Sequence, residues 1–96
     1  MAPVVWSVRA EAQLDDIVSH FNSEAYRQAF ALNLRQRMAN LEAFPEMGRL
    51  LPEDRTGTYR ELLIGSYRLI YTCHNDVVGI VAVIHGARAL HIEDLA

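Results

Sequence analysis

Apolar positions along the chain change period twice. Residues 3–8, Pro-Val-Val-Trp-Ser-Val, form a short β-branched and aromatic run that predicts a first strand. Pro3 places that strand at a sheet edge or marks its entry. From Ala10 the spacing becomes helical: Ala10, Leu14, Ile17, Val18 and Phe21 make one apolar stripe, with Ser7 placed to cap the helix. Glu11, Asp15 and Asp16 fall early in this helix, toward its positive end. Asn22-Ser23 interrupts the stripe, and Ser23 is set to cap a second helix over residues 24 to 43. Its stripe runs through Tyr26, Phe30, Leu34, Met38 and Leu41, and Tyr26, Phe30 and Leu34 are expected to face the core. Two such helices with a short joint predict an αα-hairpin.

Pro45 stops the second helix, and residues 45–58 form the longest irregular segment. The period then becomes that of strands. Residues 59–64 and 67–73 predict two of them, joined around Gly65-Ser66, and His74-Asn75-Asp76 supplies the next turn. Residues 77–85, Val-Val-Gly-Ile-Val-Ala-Val-Ile-His, are almost continuously apolar, as in a central strand covered on both faces. Gly86 breaks that run, and residues 88–96 are expected to be a short C-terminal strand or an unpaired tail. The order βααβββ implies the α+β class: an antiparallel sheet packed on an N-terminal αα-hairpin, its other face open. Residues 1–96 are expected to form a single domain.

A hydrophobic content of 51% implies a compact core and an apolar surface that needs a partner. No stretch nears the roughly 20 apolar residues of a membrane span, and no signal pattern opens the chain. The lone Cys73 lies in an apolar run, so a buried thiol in the cytoplasm is expected. His20, His74, His85 and His91 have no ligand spacing, so no metal is expected; no Gly-rich phosphate loop, other cofactor motif or Ser-His-Asp grouping stands out.

The net charge of −3 argues against a general nucleic-acid binder, and 8% aromatic content is sparse for a base-stacking platform. All nine cationic side chains are arginines. Residues 55–74 hold Arg55, Arg60 and Arg68 against Glu61 alone. Alternation puts Tyr67, Leu69, Tyr71 and Cys73 on one face of their strand and Arg68, Ile70, Thr72 and His74 on the other. Arg60 shares a face with Leu62 and Ile64, and meets Arg68 if the two strands' faces coincide. Arg60 either pairs with Glu61 or a helix acid, or it binds a partner; Arg68 is read as partner-binding. His85 is either satisfied by a backbone group or an acid–base candidate. Arg88 is expected at a sheet rim suited to a partner.

With Phe-Pro-Glu-Met-Gly-Arg at 44–49, Tyr-Arg-Glu-Leu at 59–62, Tyr-Arg-Leu-Ile-Tyr at 67–71 and Val-Ile-His-Gly-Ala-Arg at 83–88, the chain resembles the ParE/RelE superfamily of bacterial type II toxin–antitoxin toxins. The resemblance spans most of the chain and implies the same helical hairpin and sheet. Its RelE-like branch cuts mRNA in the ribosome with cationic residues on the open sheet face, often with a C-terminal tyrosine or histidine. Arg68 and Arg88 match two of those cations. The chain departs from that branch in having no lysine, and no tyrosine after Arg88. Proton transfer would then fall to His85 or His91.

The His-Gly-Ala-Arg ending and the Pro-x-Met-Gly-Arg loop are similar to the ParE-like branch, whose members poison DNA gyrase by binding it. A protein target suits an acidic chain. The preferred expectation is thus a toxin of plasmid-stabilisation type that binds gyrase without hydrolysis, contacts partners through Arg60, Arg68, His85 and Arg88, and is neutralised by a cognate antitoxin. The alternatives are a ribosome-dependent endoribonuclease using Arg68, Arg88, His85 and His91, with direct RNA contact, and an inactive relic that only binds its antitoxin.

Overall fold

Ser7 and Ser23 begin the two helices as their positions predict. In the computed structural model, which describes residues 1–95, the Ser7 hydroxyl accepts from the Ala10 amide at 3.0 Å and the Ser23 hydroxyl from the Tyr26 amide at 3.2 Å. Each satisfies an amide that a helix start otherwise leaves open, an effect worth ~1 kcal/mol. Helix α1 runs Val8–Ser19 and α2 Glu24–Ala43. The strands are β1 (Val4–Trp6), β2 (Arg49–Leu50), β3 (Tyr59–Ile64), β4 (Tyr67–His74) and β5 (Val77–His85), and a short 3-10 helix covers Ile92–Leu95.

The five strands form one sheet in the order β1-β5-β4-β3-β2. The β3–β4–β5 meander is antiparallel, as the two short turns require. Gly65 (φ 59°) supplies the positive φ of the first turn, and Asn75 and Asp76 (φ 51° and 60°) supply it twice in the second. β1 joins the outer edge of β5 in parallel, so the sheet is mixed. β5 is therefore central and covered on both faces, as its continuous apolar run implies.

The helix hairpin covers one face. Leu62, Ile64, Leu69, Tyr71, Val78, Ile80 and Val83 pack there against Ala10, Phe30 and Leu41. Phe21 stacks edge-on against Tyr26, Phe30 and, more tilted, Tyr67, at ring separations of 4.7, 5.2 and 6.3 Å. Phe30 is buried and Leu34 packs on the core; Tyr26 touches Phe21 but stays 48% exposed. A bulge at Val81 shifts the parity of β5: Ile80 faces the helices opposite Tyr71, whereas Ala82 lies opposite Ile70 on the far face.

That far face is not open. Leu51, Ile70, Ala82, Ile84 and Leu95 are buried together, with Tyr59, Val81, Leu90 and Ile92 packed against them. The segment after Arg88 forms neither a strand nor a loose tail in its described part; it folds back, and its 3-10 helix lays Leu95 on the sheet. The apolar residues Leu90, Ile92 and Leu95 have a face to bury, and they find it on the sheet over Ile70, Ala82 and Ile84.

Candidate functional site

The two-residue turn at Gly65-Ser66 fixes the β3–β4 register: Leu63 opposes Arg68, Glu61 opposes Ile70 and Arg60 opposes Tyr71. Arg60 therefore lies on the helix face and Arg68 on the far face. The two guanidinium groups do not meet. Arg60 turns to the backbone, donating from its Nη1 to the carbonyls of Glu46 (3.2 Å) and Gly48 (2.8 Å). It does not pair with Glu61, whose carboxylate points to the opposite face.

Arg68 is 8% exposed. Its Nε donates to Glu61 Oε1 at 2.6 Å, and its two terminal nitrogens grip Glu53 at 2.9 and 2.7 Å. Glu61, 2% exposed, also accepts from Arg49 Nε through its other oxygen. The far face thus holds a ladder of alternating charge, Arg49–Glu61–Arg68–Glu53, across β2, β3, β4 and the loop before β3. A fork-to-carboxylate pair is the strongest geometry available to arginine. The hydrogen bonds that Arg68 donates to Glu53 raise the guanidinium above its usual value against the opposing effect of burial, and hold the Glu53 carboxyl below its own. The expected outward presentation of Arg68 is corrected: its guanidinium is used up inside the molecule.

Glu53 is held out to Arg68 by a built loop. Asp54 accepts from the amides of Thr56, Thr58 and Tyr59 at 3.0, 2.9 and 3.1 Å. The Thr56 hydroxyl also donates to Asp54, at 2.6 Å, and that bond first and the amides after it lower the Asp54 carboxyl. Gly48 explains the Pro-Glu-Met-Gly-Arg stretch: its amide donates to the buried Tyr71 hydroxyl at 2.8 Å, and a Cβ there would lie 2.6 Å from that oxygen. Burial raises the Tyr71 phenol, keeping it neutral.

The rim at the end of β5 is different. His85 Nδ1 accepts from the Ala87 amide at 3.0 Å, and its ring meets Tyr67 edge-on at 5.4 Å. The backbone satisfaction expected of His85 is present, but the side chain is exposed. Gly86 passes so close to β4 that a Cβ would sit 3.1 Å from the Ser66 carbonyl oxygen. Arg88 follows, exposed and with no side-chain partner among the described residues. With Arg9 of α1 and His91 it borders a cleft of about 550 Å³ floored by Ala82, Ile84 and Leu95, with Asp94 as its one acid among the described residues. The structure therefore gathers Arg88 and His91 with Arg9, keeps His85 on the neighbouring turn, and engages Arg60 and Arg68 in hydrogen bonds elsewhere.

Arg9, Glu53 and the Glu61–Arg68 pairing escape sequence reading. The last had a signal: the two-residue turn sets the register and makes Glu61 the diagonal neighbour of Arg68. Arg9 had none, because its approach to Arg88 depends on how α1 lies along β5.

No group of histidine, cysteine, aspartate or glutamate side chains among the described residues could hold a metal. No described helix is long and apolar enough to cross a membrane.

Comparison with known proteins gives two findings. The family described as "ParE toxin of type II toxin-antitoxin system, parDE" matches residues 4–90. Among solved structures, a chain described as "Chromosomal ParDE TA system from P. aeruginosa" is similar, with a TM-score of 0.69 and 16% identity over 88% of this chain and 96% of that one. No curated protein matches.

Proposed function

The chain belongs to the ParE toxin family of type II toxin–antitoxin systems, and on that premise we propose that it inhibits DNA gyrase by binding it, in the bacterial cytoplasm, and is neutralised by a cognate antitoxin. The observation that supports binding over RNA cleavage is the contrast between its two superfamily-matching arginines. Cleavage of RNA needs a base, an acid and a free cation for the developing phosphate charge. Arg68 has both edges of its guanidinium taken by Glu53 and Glu61. Arg88 has no side-chain partner among the described residues and stands at the rim, beside an apolar-floored cleft of a size that takes a few protein side chains. In this reading Arg88 and His85 touch the partner, while Arg60 and Arg68 hold the neighbouring loops in shape.

The test is a gyrase supercoiling assay with purified protein, run beside primer extension on translated mRNA. Blocked supercoiling with intact mRNA is the expected result. Inert protein at saturating concentration overturns it. New mRNA ends that vanish in Arg88→Ala would instead assign the ribosome-dependent nuclease, and normal growth on induction without a partner would assign the inactive relic.

A further inference from the structure

At the opposite end of β5 from Arg88, the end of α2, the loop at 44–47 and the β4–β5 turn enclose two adjoining clefts of about 580 and 470 Å³, which share Ala43, Pro45 and Asp76. Apart from the exposed α-ammonium of Met1, which lines the second and is in no ion pair among the described residues, their charged groups are all acidic. Glu46 and Asp76 line the first and Glu42 and Asp76 the second, and no arginine or histidine side chain lines either. None of the three carboxylates is in an ion pair among the described residues. They are also too dispersed to hold a metal ion.

Between these acids stand large apolar side chains in water: Phe44 is 69% exposed and Met47 39%. Isolated exposed apolar residues are ordinary, but adjacent ones rimmed by charge mark a contact surface. This exposure does not come from a frayed loop. The Phe44 amide donates to Asn40 at 2.8 Å, the Met47 amide to Phe44 at 3.1 Å, and the Arg60 guanidinium holds the Glu46 and Gly48 carbonyls from behind. The Gly48 amide is fixed in turn by Tyr71. The backbone is held so that these side chains stay out.

We propose that this acid-lined apolar cleft docks a segment of a partner protein that carries arginine or lysine next to aliphatic side chains. The aliphatic groups cover Phe44 and Met47, whose flexible thioether adapts to them. The cations reach Glu42, Glu46 and Asp76. An acidic segment or a nucleic-acid strand would set its own negative charge against three unpaired carboxylates. The surface lies across the length of β5 from the Arg88 rim, so it gives the toxin a second contact of opposite charge, and it stands whether or not the target is gyrase.

Cys73, the sole cysteine of the chain, is half-buried rather than buried as its apolar run implies, lines the first cleft and is a local reporter. The probes are three synthetic 14-residue peptides: one of arginine and leucine, one of glutamate and leucine, one of arginine and serine. Binding is read by anisotropy, and site occupancy by the rate at which iodoacetamide alkylates Cys73. The arginine–leucine peptide should bind and slow alkylation several-fold, and the other two should not. The double variant Glu46→Gln/Asp76→Asn, whose asparagine keeps the turn, should weaken binding about five- to tenfold. Arg88→Ala should leave it unchanged. Unprotected Cys73, equal protection by either control peptide, or undiminished binding by the double variant overturns the proposal. The assay contains no gyrase, so its outcome is separate from that of the supercoiling test.

Discussion

The two faces of the sheet differ in kind although they share the same strands. Along β4, Tyr67, Leu69 and Tyr71 pack under the helices into a layer whose main buried polar contact is the Tyr71–Gly48 hydrogen bond. Their neighbours Arg68 and Ile70 enter a second, thinner layer, where a small apolar cluster adjoins four linked charges. An arginine at an alternate strand position is thus not evidence of an outward-facing site. What decides its role is whether a carboxylate lies diagonally across the ladder, and here Glu61 does.

Glu61→Ala tests the charged layer most severely. It leaves Arg68 buried with half its partners and frees Arg49, and breaking a buried pair from one side costs about 3–5 kcal/mol. Urea unfolding should show a loss of that size. The paired replacement Glu61→Leu/Arg68→Met should recover most of it, since an apolar pair of similar volume needs no charge compensation. A loss below ~1 kcal/mol for Glu61→Ala would mean that water reaches the ladder and that the two faces are less different than their burial implies.

On the helix face the corresponding probe is Tyr71→Phe. The ring keeps its packing, but the Gly48 amide loses its acceptor in a buried place. An unsatisfied buried donor costs about 1–3 kcal/mol. The change should also loosen the 44–48 loop, read as faster amide exchange at Met47 and Gly48. A loss equal to that of Glu61→Ala would erase the ranking of the two layers.

The helices, their serine caps, the meander and the central position of β5 were all legible because each rests on local chemistry: capping groups, period, and turn residues. The parallel seat of β1, the two-residue strand β2 and the folded-back tail were not, since each depends on which edge or face the rest of the chain leaves uncovered. The candidate site was half legible. Arg88 at a rim follows from Gly86 ending an apolar strand. The neutralisation of Arg68 did not, because Glu53 lies 15 residues away in a loop whose course is set by Asp54.

A gentler probe of the charged layer is pH. Glu53 has a folded-state value below its usual 4.5, chiefly through its hydrogen bonds with Arg68. In acid the unfolded chain takes up this proton first, so the pair's contribution is present above about pH 4.5 and is lost as pH falls through the lower folded value. Melting temperature should therefore fall on acidification below that point. In Glu53→Gln the fall should be shallower, with a smaller difference from the parent at acid pH than at pH 7. Parallel curves would show that Glu53 does not titrate with folding.

Arg88→Ala should have the smallest effect on stability and the sharpest on function. The side chain is exposed and has no partner among the described residues, its backbone amide bond to the His85 carbonyl survives truncation, and such surface changes stay within about 0.5 kcal/mol. If the rim meets a partner, removing a central arginine costs the complex about 1–2 kcal/mol or more, seen as a shift of about fivefold or greater in the concentration that blocks supercoiling. Arg9→Ala, across the same cleft, should act in the same direction and be smaller if it lies nearer the interface edge. The diagnostic is the ratio of the two effects: a variant that keeps its melting temperature and loses inhibition places the contact at the rim. One that loses both would return Arg88 to the structural role that Arg68 already fills, and would leave the acid-lined cleft at the far end of β5 as the principal exposed contact surface.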